Sequence, residues 1–322
     1  FVSSNHVYAI NYEGTLTNIG ATTGLFHWQT NIGEPLIGGV GGDDSQVYVT
    51  TVDGELVAVG RDEGEVRWRS PVASEVLVPA VSYLGIVVVK TVNGKIAAYD
   101  ARSGSKLWEY SALEPALTLR GTSTPVALRD AVITGMSDGT VAAISAKDGQ
   151  LFWEQKIAFA KGKTELERLI DIDGKVVIDN NSIFTVAYQG QLAKLQLFNG
   201  RVDWSVPVSS RTTPAVSFSN VFVTTADGDV VAFDKVSQRE VWRQSGLVYR
   251  ELTSPIAWGN YLIVGDLEGY IHLLTQTDGS FAARIRPARD FIAVAPTVYK
   301  DRFIVLSSDG QVSAWGIPSE NK

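Results

Sequence analysis

The chain has 322 residues and a formal net charge of −7, which argues against a phosphate-binding surface because such surfaces depend on Lys and Arg. It contains no cysteine, so disulfides, thiolate metal sites and cysteine nucleophiles are excluded. Apolar residues make up 45% of the sequence, which is ample for a core, and no segment approaches the roughly 20 apolar residues of a membrane span.

One pattern recurs along the whole chain. The stretch SDGTVAAISAKDGQLFW, residues 137–153, has counterparts at 12–28, 52–68, 92–108, 188–204, 226–242 and 267–283, with an eighth copy that begins at 308. The leading glycines of the eight copies lie 38 to 51 residues apart, and six copies carry a second glycine ten residues later. A tryptophan closes six copies, whereas Gln238 replaces the second glycine of the sixth and Ala283 the tryptophan of the seventh.

Each copy predicts four short strands, here taken in chain order from the fourth copy. The first, TPVAL, carries a proline that is tolerable on an edge strand. The second, AVITGM, ends in an Asp-Gly hairpin that we interpret as a two-residue primed turn. The third, TVAAIS, leads through a glycine turn to the Trp-bearing fourth. Such units, repeated four to eight times, predict an all-β, eight-bladed β-propeller of four-stranded antiparallel blades, with residues 1–322 forming a single domain.

The two ends of the chain predict incomplete blades. The first copy begins at its second strand (HVYAINY), and the last ends after its third (QVSAWGI). We expect one N-terminal segment outside this sequence to complete blade eight and to start blade one. The chain begins at Phe1 rather than Met, so we expect a processed product that has lost an N-terminal address or anchor.

Catalytic chemistry has little support in the sequence. No His/Asp/Glu group has the spacing of metal ligands. Two of the three histidines, His27 and His272, fall at repeat positions and are interpreted as structural. Asp43 and Asp44 in GGVGGDDS are interpreted as a solvated turn. We therefore predict a protein that is not an enzyme and has no catalytic, metal or cofactor site.

The Gly-x-x-x-Trp repeat resembles the tryptophan-docking motif of the pyrroloquinoline-quinone dehydrogenases, which are also eight-bladed propellers. That family uses a vicinal cysteine pair over the quinone and a calcium-linked Asp/Glu constellation. Because this chain has no cysteine, the motif is interpreted as structural. A quinoprotein-like or other small-ligand-binding propeller, with its site at the central channel, stays open as the alternative function.

Two long connections between copies stand out. In an antiparallel blade, the turns between second and third strands share one face of the disc with the connections between blades. The segment ELERLIDID, residues 165–173, connects the fourth copy to the fifth, and EYSALEPALTLRGTSTP, residues 109–125, connects the third to the fourth. Adjacent blades and a shared face place the two connections side by side.

Together these connections predict a protein-binding patch of apolar anchors beside charges, formed by Leu117, Leu119, Leu169, Ile172, Arg120, Arg168, Asp171 and Asp173. Two other interpretations stay open. Arg250 precedes Pro255 by five residues, as Arg120 precedes Pro125, so Arg120 could serve a repeated structural role. The leucines could also form a small satellite core under the loops.

The chain as a whole resembles the BamB family, the lipoprotein subunits of the outer-membrane β-barrel assembly machinery of Gram-negative bacteria. The most specific stretches are LTLRGTSTP (117–125), TELERLIDID (164–173), LTSPI (252–256) and VGDLEGY (264–270). The resemblance implies an eight-bladed propeller at the periplasmic face of the outer membrane, anchored by a lipidated N-terminal cysteine. That cysteine is absent from this sequence, so a lipid anchor outside it would be the chain's membrane contact.

The same resemblance implies a non-enzymatic scaffold that docks the periplasmic POTRA domains of BamA and assists the folding and insertion of outer-membrane proteins. The family's partner-binding residues match Leu117, Leu119, Arg120, Asp171 and Asp173, and we add Arg168 and Leu169 as further candidates. Partners would be BamA and the rest of the assembly complex, with no nucleic acid. Unfolded outer-membrane proteins are a further candidate partner, because exposed blade edges could pair with an extended strand.

Overall fold

The computed structural model describes residues 1–112, 123–160, 163–164, 167–292 and 294–317. Within these residues every regular element is a β-strand. The strands of the first four sheets, here blades 1 to 4, are β1 (Val2–Ser3), β2 (His6–Ile10), β3 (Thr15–Gly20), β4 (Phe26–Asn31); β5 (Leu36–Gly42), β6 (Gln46–Thr51), β7 (Glu55–Gly60), β8 (Val66–Pro71); β9 (Val81–Tyr83), β10 (Ile86–Lys90), β11 (Lys95–Asp100), β12 (Lys106–Ser111); β13 (Val126–Ala127), β14 (Ala131–Gly135), β15 (Thr140–Ser145) and β16 (Leu151–Lys156).

Blades 5 to 8 continue the same order along the chain. Their strands are β17 (Val177–Asp179), β18 (Ser182–Val186), β19 (Gln191–Gln196), β20 (Val202–Pro207); β21 (Ala215–Val216), β22 (Asn220–Thr224), β23 (Val230–Asp234), β24 (Glu240–Gln244); β25 (Ile256–Trp258), β26 (Tyr261–Gly265), β27 (Ile271–Thr275), β28 (Phe281–Ile285); β29 (Thr297–Tyr299), β30 (Arg302–Leu306) and β31 (Val312–Gly316). All neighbouring strands in a blade are antiparallel and consecutive in sequence.

The eight sheets form the predicted propeller, which confirms the fold class. First strands of successive blades, such as β5 and β9 or β21 and β25, lie next to each other and therefore surround the central axis. Fourth strands lie at the outer rim. Blade 8 has three strands among the described residues, as the sequence predicted. The prediction that blade 1 lacks its first strand is wrong, because β1 pairs with β2; at two residues it is too short to show a strand pattern.

The second and third strands of each blade are buried on both sides, because each blade is packed between two neighbours. All six residues of β6 are buried, and so are all six of β15. These strands therefore contain near-continuous apolar runs, and the core consists of a series of clusters, each shared between adjacent blades. The prolines precede the first strands, as at Pro255 before β25, where the ladder loses no hydrogen bond.

The hairpins between second and third strands differ from the predicted turn type. In blade 4 the linking residues are Ser137, Asp138 and Gly139, closed by the N–H of Met136 donating to the carbonyl of Thr140 at 2.8 Å. Only the glycine has positive φ, at +80°, whereas a primed two-residue turn needs two such residues. The turn is a three-residue loop that ends in a left-handed glycine, so the two-residue prediction is wrong. Asp138 instead accepts the N–H of Thr140 at 3.0 Å.

The repeated tryptophans join one blade to the next, as predicted. The indole N–H of Trp108 donates to the carbonyl of Ala146 in the following blade at 2.9 Å, and four other repeat tryptophans make the equivalent bond. The ring also lies against the second glycine of that blade: a Cβ on Gly149 would come within 2.8 Å of Trp108 Cε3. At this interface the indole therefore leaves no room for a side chain on the neighbouring turn.

The structure compensates locally at both positions, 238 and 283, where the sequence departs from the repeat. Gln238 adopts the positive φ of the missing glycine, at +64°. Where Ala283 replaces the tryptophan, Trp258 from the first strand of blade 7 packs on Phe303 of blade 8, with ring centroids 5.7 Å apart. The turn at Gln238 therefore keeps the left-handed backbone of the repeat, and the interface between blades 7 and 8 keeps an aromatic contact.

The strand order also defines two faces of the disc. The connection face carries the turns between second and third strands and the connections between blades, and the opposite face carries the remaining turns. Among the described residues, there is no helix with the length and apolarity needed to cross a membrane.

We expect Gly149→Ala to destabilise the protein more than Gly24→Ala. Both glycines hold the same repeat position with similar φ, +74° and +68°, so each alanine incurs the cost of a left-handed backbone, about 1–2 kcal/mol. At Gly149 the added Cβ also meets Trp108, while at Gly24 nothing lies within 4 Å. Overpacking should remove a further ~1–3 kcal/mol, measured by urea denaturation. Equal free energies of unfolding for the two variants would show that the indole contact imposes no constraint.

Candidate functional site

The connection between blades 4 and 5 is partly core and partly surface. Ile170, Ile172 and Val176 belong to the apolar cluster that fills the space between β14, β15 and β18. Ile172 packs directly over Gly135, where a Cβ would collide with the isoleucine side chain. The apolar residues of the segment therefore hold the connection on the propeller. Ile172 and Leu169, which are 0% and 7% exposed, contribute no surface to the predicted patch.

The outer part of this connection is a short capped turn. The Thr164 hydroxyl accepts the N–H of Glu167 at 3.2 Å, and the Glu167 carboxylate accepts the N–H groups of Lys163 and Thr164 at 2.8 and 3.1 Å. This reciprocal arrangement is the capping box expected of Thr-x-x-Glu. It fixes the turn so that Arg168, the next residue, is exposed.

The two aspartates lie beneath this turn. Asp171 is 1% exposed, and its carbonyl accepts the N–H of Tyr188 at 2.8 Å in an isolated antiparallel bridge. Asp173 is half-buried, and burial raises the pKa of its carboxyl although a hydrogen bond with Asp171 and the charges of Arg211 and Lys90 act in the opposite direction. Burial therefore disfavours the ionised form of Asp173, although basic groups lie nearby.

Basic and aromatic groups of neighbouring blades surround the aspartates. The Arg211 guanidinium lies 4.1 Å from the ring centroid of Tyr188, and its hydrogen bond to that phenol is the main cause of the lowered pKa of Tyr188. Lys90, at the end of β10, is buried and donates to the carbonyl of Gly135. The site thus draws on blades 3, 4 and 5 and on the connection that precedes blade 6.

The described end of the preceding connection contacts this site. The hydroxyl of Ser123 is fully buried and donates to the carbonyl of Gly174 at 2.9 Å. Lys175 continues the contact toward the next connection, because its N–H donates to the hydroxyl of Thr213 at 2.9 Å. The two connections therefore lie side by side at their described ends, as the strand order predicted.

The structure describes four of the seven predicted partner-binding residues. Arg168 is exposed, Asp173 is half-buried, and Leu169 and Asp171 are buried. The other three, Leu117, Leu119 and Arg120, lie outside the described residues. The partner-binding role of all seven stays a prediction.

The histidines divide into two groups that sequence distance alone did not reveal. His6 and His27 are neighbours in blade 1, with ring centroids 4.7 Å apart, and His6 Nδ1 lies 2.9 Å from the Asn18 side-chain oxygen. His272 is buried in blade 7 beside Asp266. Within the described part of the chain, no three His, Asp or Glu side chains are close enough together to hold a metal ion.

Asp43 is more than a solvated turn residue. Its carboxylate accepts the backbone N–H groups of Ser45 and Gln46 at 2.8 and 3.0 Å and the Tyr48 hydroxyl at 2.5 Å. Burial acts to raise its pKa, but these hydrogen bonds outweigh burial and lower it. The turn prediction holds, and the carboxylate also joins the turn to the core tyrosine of β6.

A mainly apolar cavity of about 630 Å³ lies at the central channel. Its walls come from strands of blades 8, 1, 2 and 3. Ile10, Val40 and Leu306 are among the residues that line it, and Lys175 of the blade 4–5 connection reaches it. Gly41 gives the cavity part of its shape, because β5 passes so close to Ala80 that a Cβ there would collide with the backbone.

Comparison with known proteins gives a consistent result. The family model described as outer membrane protein assembly factor BamB matches residues 2–244, which contain blades 1 to 6. BamB of Pseudomonas aeruginosa is 36% identical over 203 residues, covering 63% of this chain and 53% of that protein. BamB of Escherichia coli is 33% identical over 198 residues, covering 62% and 50%. The matched stretch thus spans about half the length of these curated relatives.

Solved structures agree on the fold. The crystal structure of BamB from Moraxella catarrhalis superposes with a TM-score of 0.92 at 30% identity, covering 98% of this chain and 95% of that one. A quinohemoprotein alcohol dehydrogenase from Pseudomonas putida reaches a TM-score of 0.77 over 98% of this chain and 69% of its own, but at 12% identity. At that identity, the likeness to the dehydrogenase shows only that the two proteins share a fold.

The raised pKa of Asp173 predicts a pH-dependent effect of Asp173→Asn. A carboxyl whose pKa is higher in the folded chain stabilises the fold below its unfolded pKa, about 3.9, and that contribution is lost as the pH rises through the folded pKa. Asparagine does not ionise. We therefore expect the variant to match the wild type near about pH 3 and to have the larger free energy of unfolding near about pH 7.

Urea denaturation across this pH range measures the effect, with Asp62→Asn at an exposed turn as the control. A wild type that is more stable than Asp173→Asn at neutral pH would show that the ionised carboxylate is stabilised by its neighbours rather than strained.

Proposed function

Because the chain belongs to the BamB family of outer membrane protein assembly factors, we propose that it is a non-enzymatic scaffold subunit of the outer-membrane β-barrel assembly machinery. The match over blades 1 to 6, which includes the connection between blades 4 and 5, is the observation that carries this proposal. In this role the protein works at the periplasmic face of the outer membrane, with a lipid anchor as its membrane attachment. It assists the folding and insertion of outer-membrane proteins by holding other subunits in place.

The docking partner in this proposal is the set of POTRA domains of BamA, bound on the connection face of blades 3 to 5. Leu117 and Leu119 act as apolar anchors, and Arg120 and Arg168 supply charges that fix the register. Asp173 is accessible enough to join the contact directly. Asp171 is buried, so it contributes by holding the connection against Tyr188 and by its charge beneath the surface.

The contacts that hold residues 167–176 on the propeller favour the proposal. A capped turn, the Ser123–Gly174 hydrogen bond and the buried Ile170 and Ile172 fix the connection before any partner arrives. A fixed loop loses little conformational entropy on binding, which is the benefit of preorganisation.

Unfolded outer-membrane proteins are proposed as a further partner. The outer strands of the blades present unpaired backbone groups, and β4 and β16 carry the exposed side chains Phe26 and Phe152, which are 61% and 57% exposed. An extended apolar segment could pair with such an edge.

Calorimetric titration of this chain with the isolated POTRA domains of its BamA tests the docking proposal. We expect the wild type to bind, and Arg120→Glu and Arg168→Glu each to weaken binding, with a loss of about 2 kcal/mol or more where the residue is a hot spot. Asp173→Lys should weaken binding as well, because it reverses a charge at the same site.

The matched control is Arg239→Glu, which reverses an exposed arginine on the opposite face. Circular dichroism of each variant establishes that it is folded. If the site variants bind as tightly as Arg239→Glu, the partner surface lies elsewhere on the propeller. If the wild type does not bind, the scaffold proposal fails in this form.

The apolar cavity at the central channel favours one alternative, a small-ligand-binding propeller. Titration with pyrroloquinoline quinone, followed by tryptophan fluorescence, separates the two functions. The scaffold proposal predicts no saturable change, because the chain lacks the cysteine pair that the quinone enzymes use. Saturable quenching that Lys175→Ala or Val40→Trp abolishes would favour the ligand-binding function.

A further inference from the structure

A cluster of arginines surrounds one tyrosine on the connection face of blade 7. The guanidinium carbons of Arg250, Arg284 and Arg286 lie 5.6, 4.9 and 4.9 Å from the ring centroid of Tyr270. Arg250 forms ion pairs with Asp266 and Glu268 at 2.6 and 2.8 Å. In the described part of the chain no carboxylate forms an ion pair with Arg284 or Arg286, although both are exposed. Two uncompensated positive charges thus face solvent on a protein of net charge −7.

A cavity of about 380 Å³ opens beside this cluster. Leu247, Phe281 and Ala282 form its apolar walls. Arg250, Arg284 and His272 add its polar groups. The site therefore combines positive charge with a partly apolar recess large enough for a side chain.

His272 is one of the residues that line this cavity, and one of its ring nitrogens lacks a hydrogen-bond partner among the described residues. The ring is 1% exposed, and its Nε2 lies 2.8 Å from the Asp266 carboxylate. Its Nδ1 has no hydrogen-bond partner among the described residues. A buried polar atom without a partner is unfavourable, so a ligand that reaches Nδ1 would recover part of that cost.

The charge of Asp266 determines which ring nitrogen of His272 is available to a ligand. Burial acts to raise the pKa of this carboxyl, but hydrogen bonds from His272, the Tyr270 N–H and Arg250 outweigh burial and lower it to about 2. The ionised carboxylate accepts the proton of Nε2. Nδ1 therefore carries the lone pair of the neutral ring, and it becomes an N–H donor when the ring is protonated.

The backbone around Arg250 is held in an uncommon conformation. The flanking residues Tyr249 and Glu251 both have positive φ, at +65° and +47°. Such strain persists only where surrounding contacts determine the conformation, here the ion pairs of Arg250. The guanidinium is therefore fixed beside the cavity.

We propose that this blade 7 site binds an acidic segment of a partner polypeptide. Carboxylates of the segment pair with Arg284 and Arg286, and one carboxylate side chain enters the cavity and accepts a hydrogen bond from Nδ1 of protonated His272. The apolar walls take the aliphatic part of that side chain or of its neighbour. A polypeptide fits these walls better than a hydrated phosphate does. The site lies on the face proposed for BamA docking but shares no residue with that docking site, so it stands independently.

Proton uptake accompanies binding in this proposal. The charged groups that face His272 are Asp266 from the turn between β26 and β27, Arg250 from the connection and Arg284 from β28. These groups are present in both states, whereas the incoming carboxylate is the added charge. It stabilises the imidazolium, so a proton is taken up at the ring when the segment binds.

The three histidines of the chain give a direct readout. With isotope-labelled histidine, NMR follows each ring while a capped hexapeptide, Leu-Glu-Asp-Leu-Glu-Asp, is added to the full chain. We expect a saturable shift of the His272 resonances, with those of His6 and His27 in blade 1 stationary. Because binding takes up a proton, the peptide should bind more tightly as the pH is lowered.

Matched charge reversals test the assignment of the arginines. Arg284→Glu/Arg286→Glu should abolish the shift, whereas Arg201→Glu/Arg239→Glu, which reverses two exposed arginines on the opposite face, should leave it unchanged. A stationary His272, or equal binding by the two double variants, overturns the proposal. A response to phosphatidylglycerol vesicles without a response to the peptide would also overturn it, in favour of an anionic lipid.

Discussion

The contact between an indole on the outer strand of one blade and the glycine turn of the next determines how this propeller assembles. A single four-stranded sheet of this kind has two apolar faces and cannot bury both by itself. The tryptophan covers the edge of the next sheet and satisfies a carbonyl there, as Trp108 does with Ala146. The turn beneath is left-handed, and at Gly149 the indole also leaves no room for a side chain. This one interaction, repeated between blades, thus accounts for the regular spacing of tryptophans and glycines in the sequence.

Most of the fold could be predicted from this repetition. Glycine turns, prolines and tryptophans are local signals, and their recurrence in most of the eight copies makes strand number and order recognisable. The hairpin geometry was missed because Asp-Gly is compatible with more than one turn, and the choice depends on how the flanking strands are paired. Strand β1 was missed because two residues carry no periodicity.

The candidate site was less predictable, for a physical reason. The face and the proximity of the two connections follow from antiparallel strand order, and the Ser123–Gly174 bond agrees with them. The burial of individual side chains in the connection does not follow from the strand order. Leu169 and Ile172 have the same apolar character as exposed anchors, but the space above Gly135 can be filled only from this connection. The blade 7 cluster gave no sequence signal, because Arg250, Tyr270 and Arg284 converge only after three separate segments meet.

The two charged sites, on blades 4 and 5 and on blade 7, are built in the same way. Buried apolar residues and internal hydrogen bonds fix the backbone on the connection face, and a few charged groups remain at the surface. In blades 4 and 5 those groups include Arg168 and Asp173, and in blade 7 they are Arg284 and Arg286.

Hydrogen exchange of the full chain, compared with and without the POTRA domains of BamA, tests the central claim most directly. The account predicts that the partner slows exchange in the segments 113–124 and 163–175, while the turns of the opposite face exchange at unchanged rates. Protection confined to the opposite face or to the outer strands, with both segments unaffected, would contradict it.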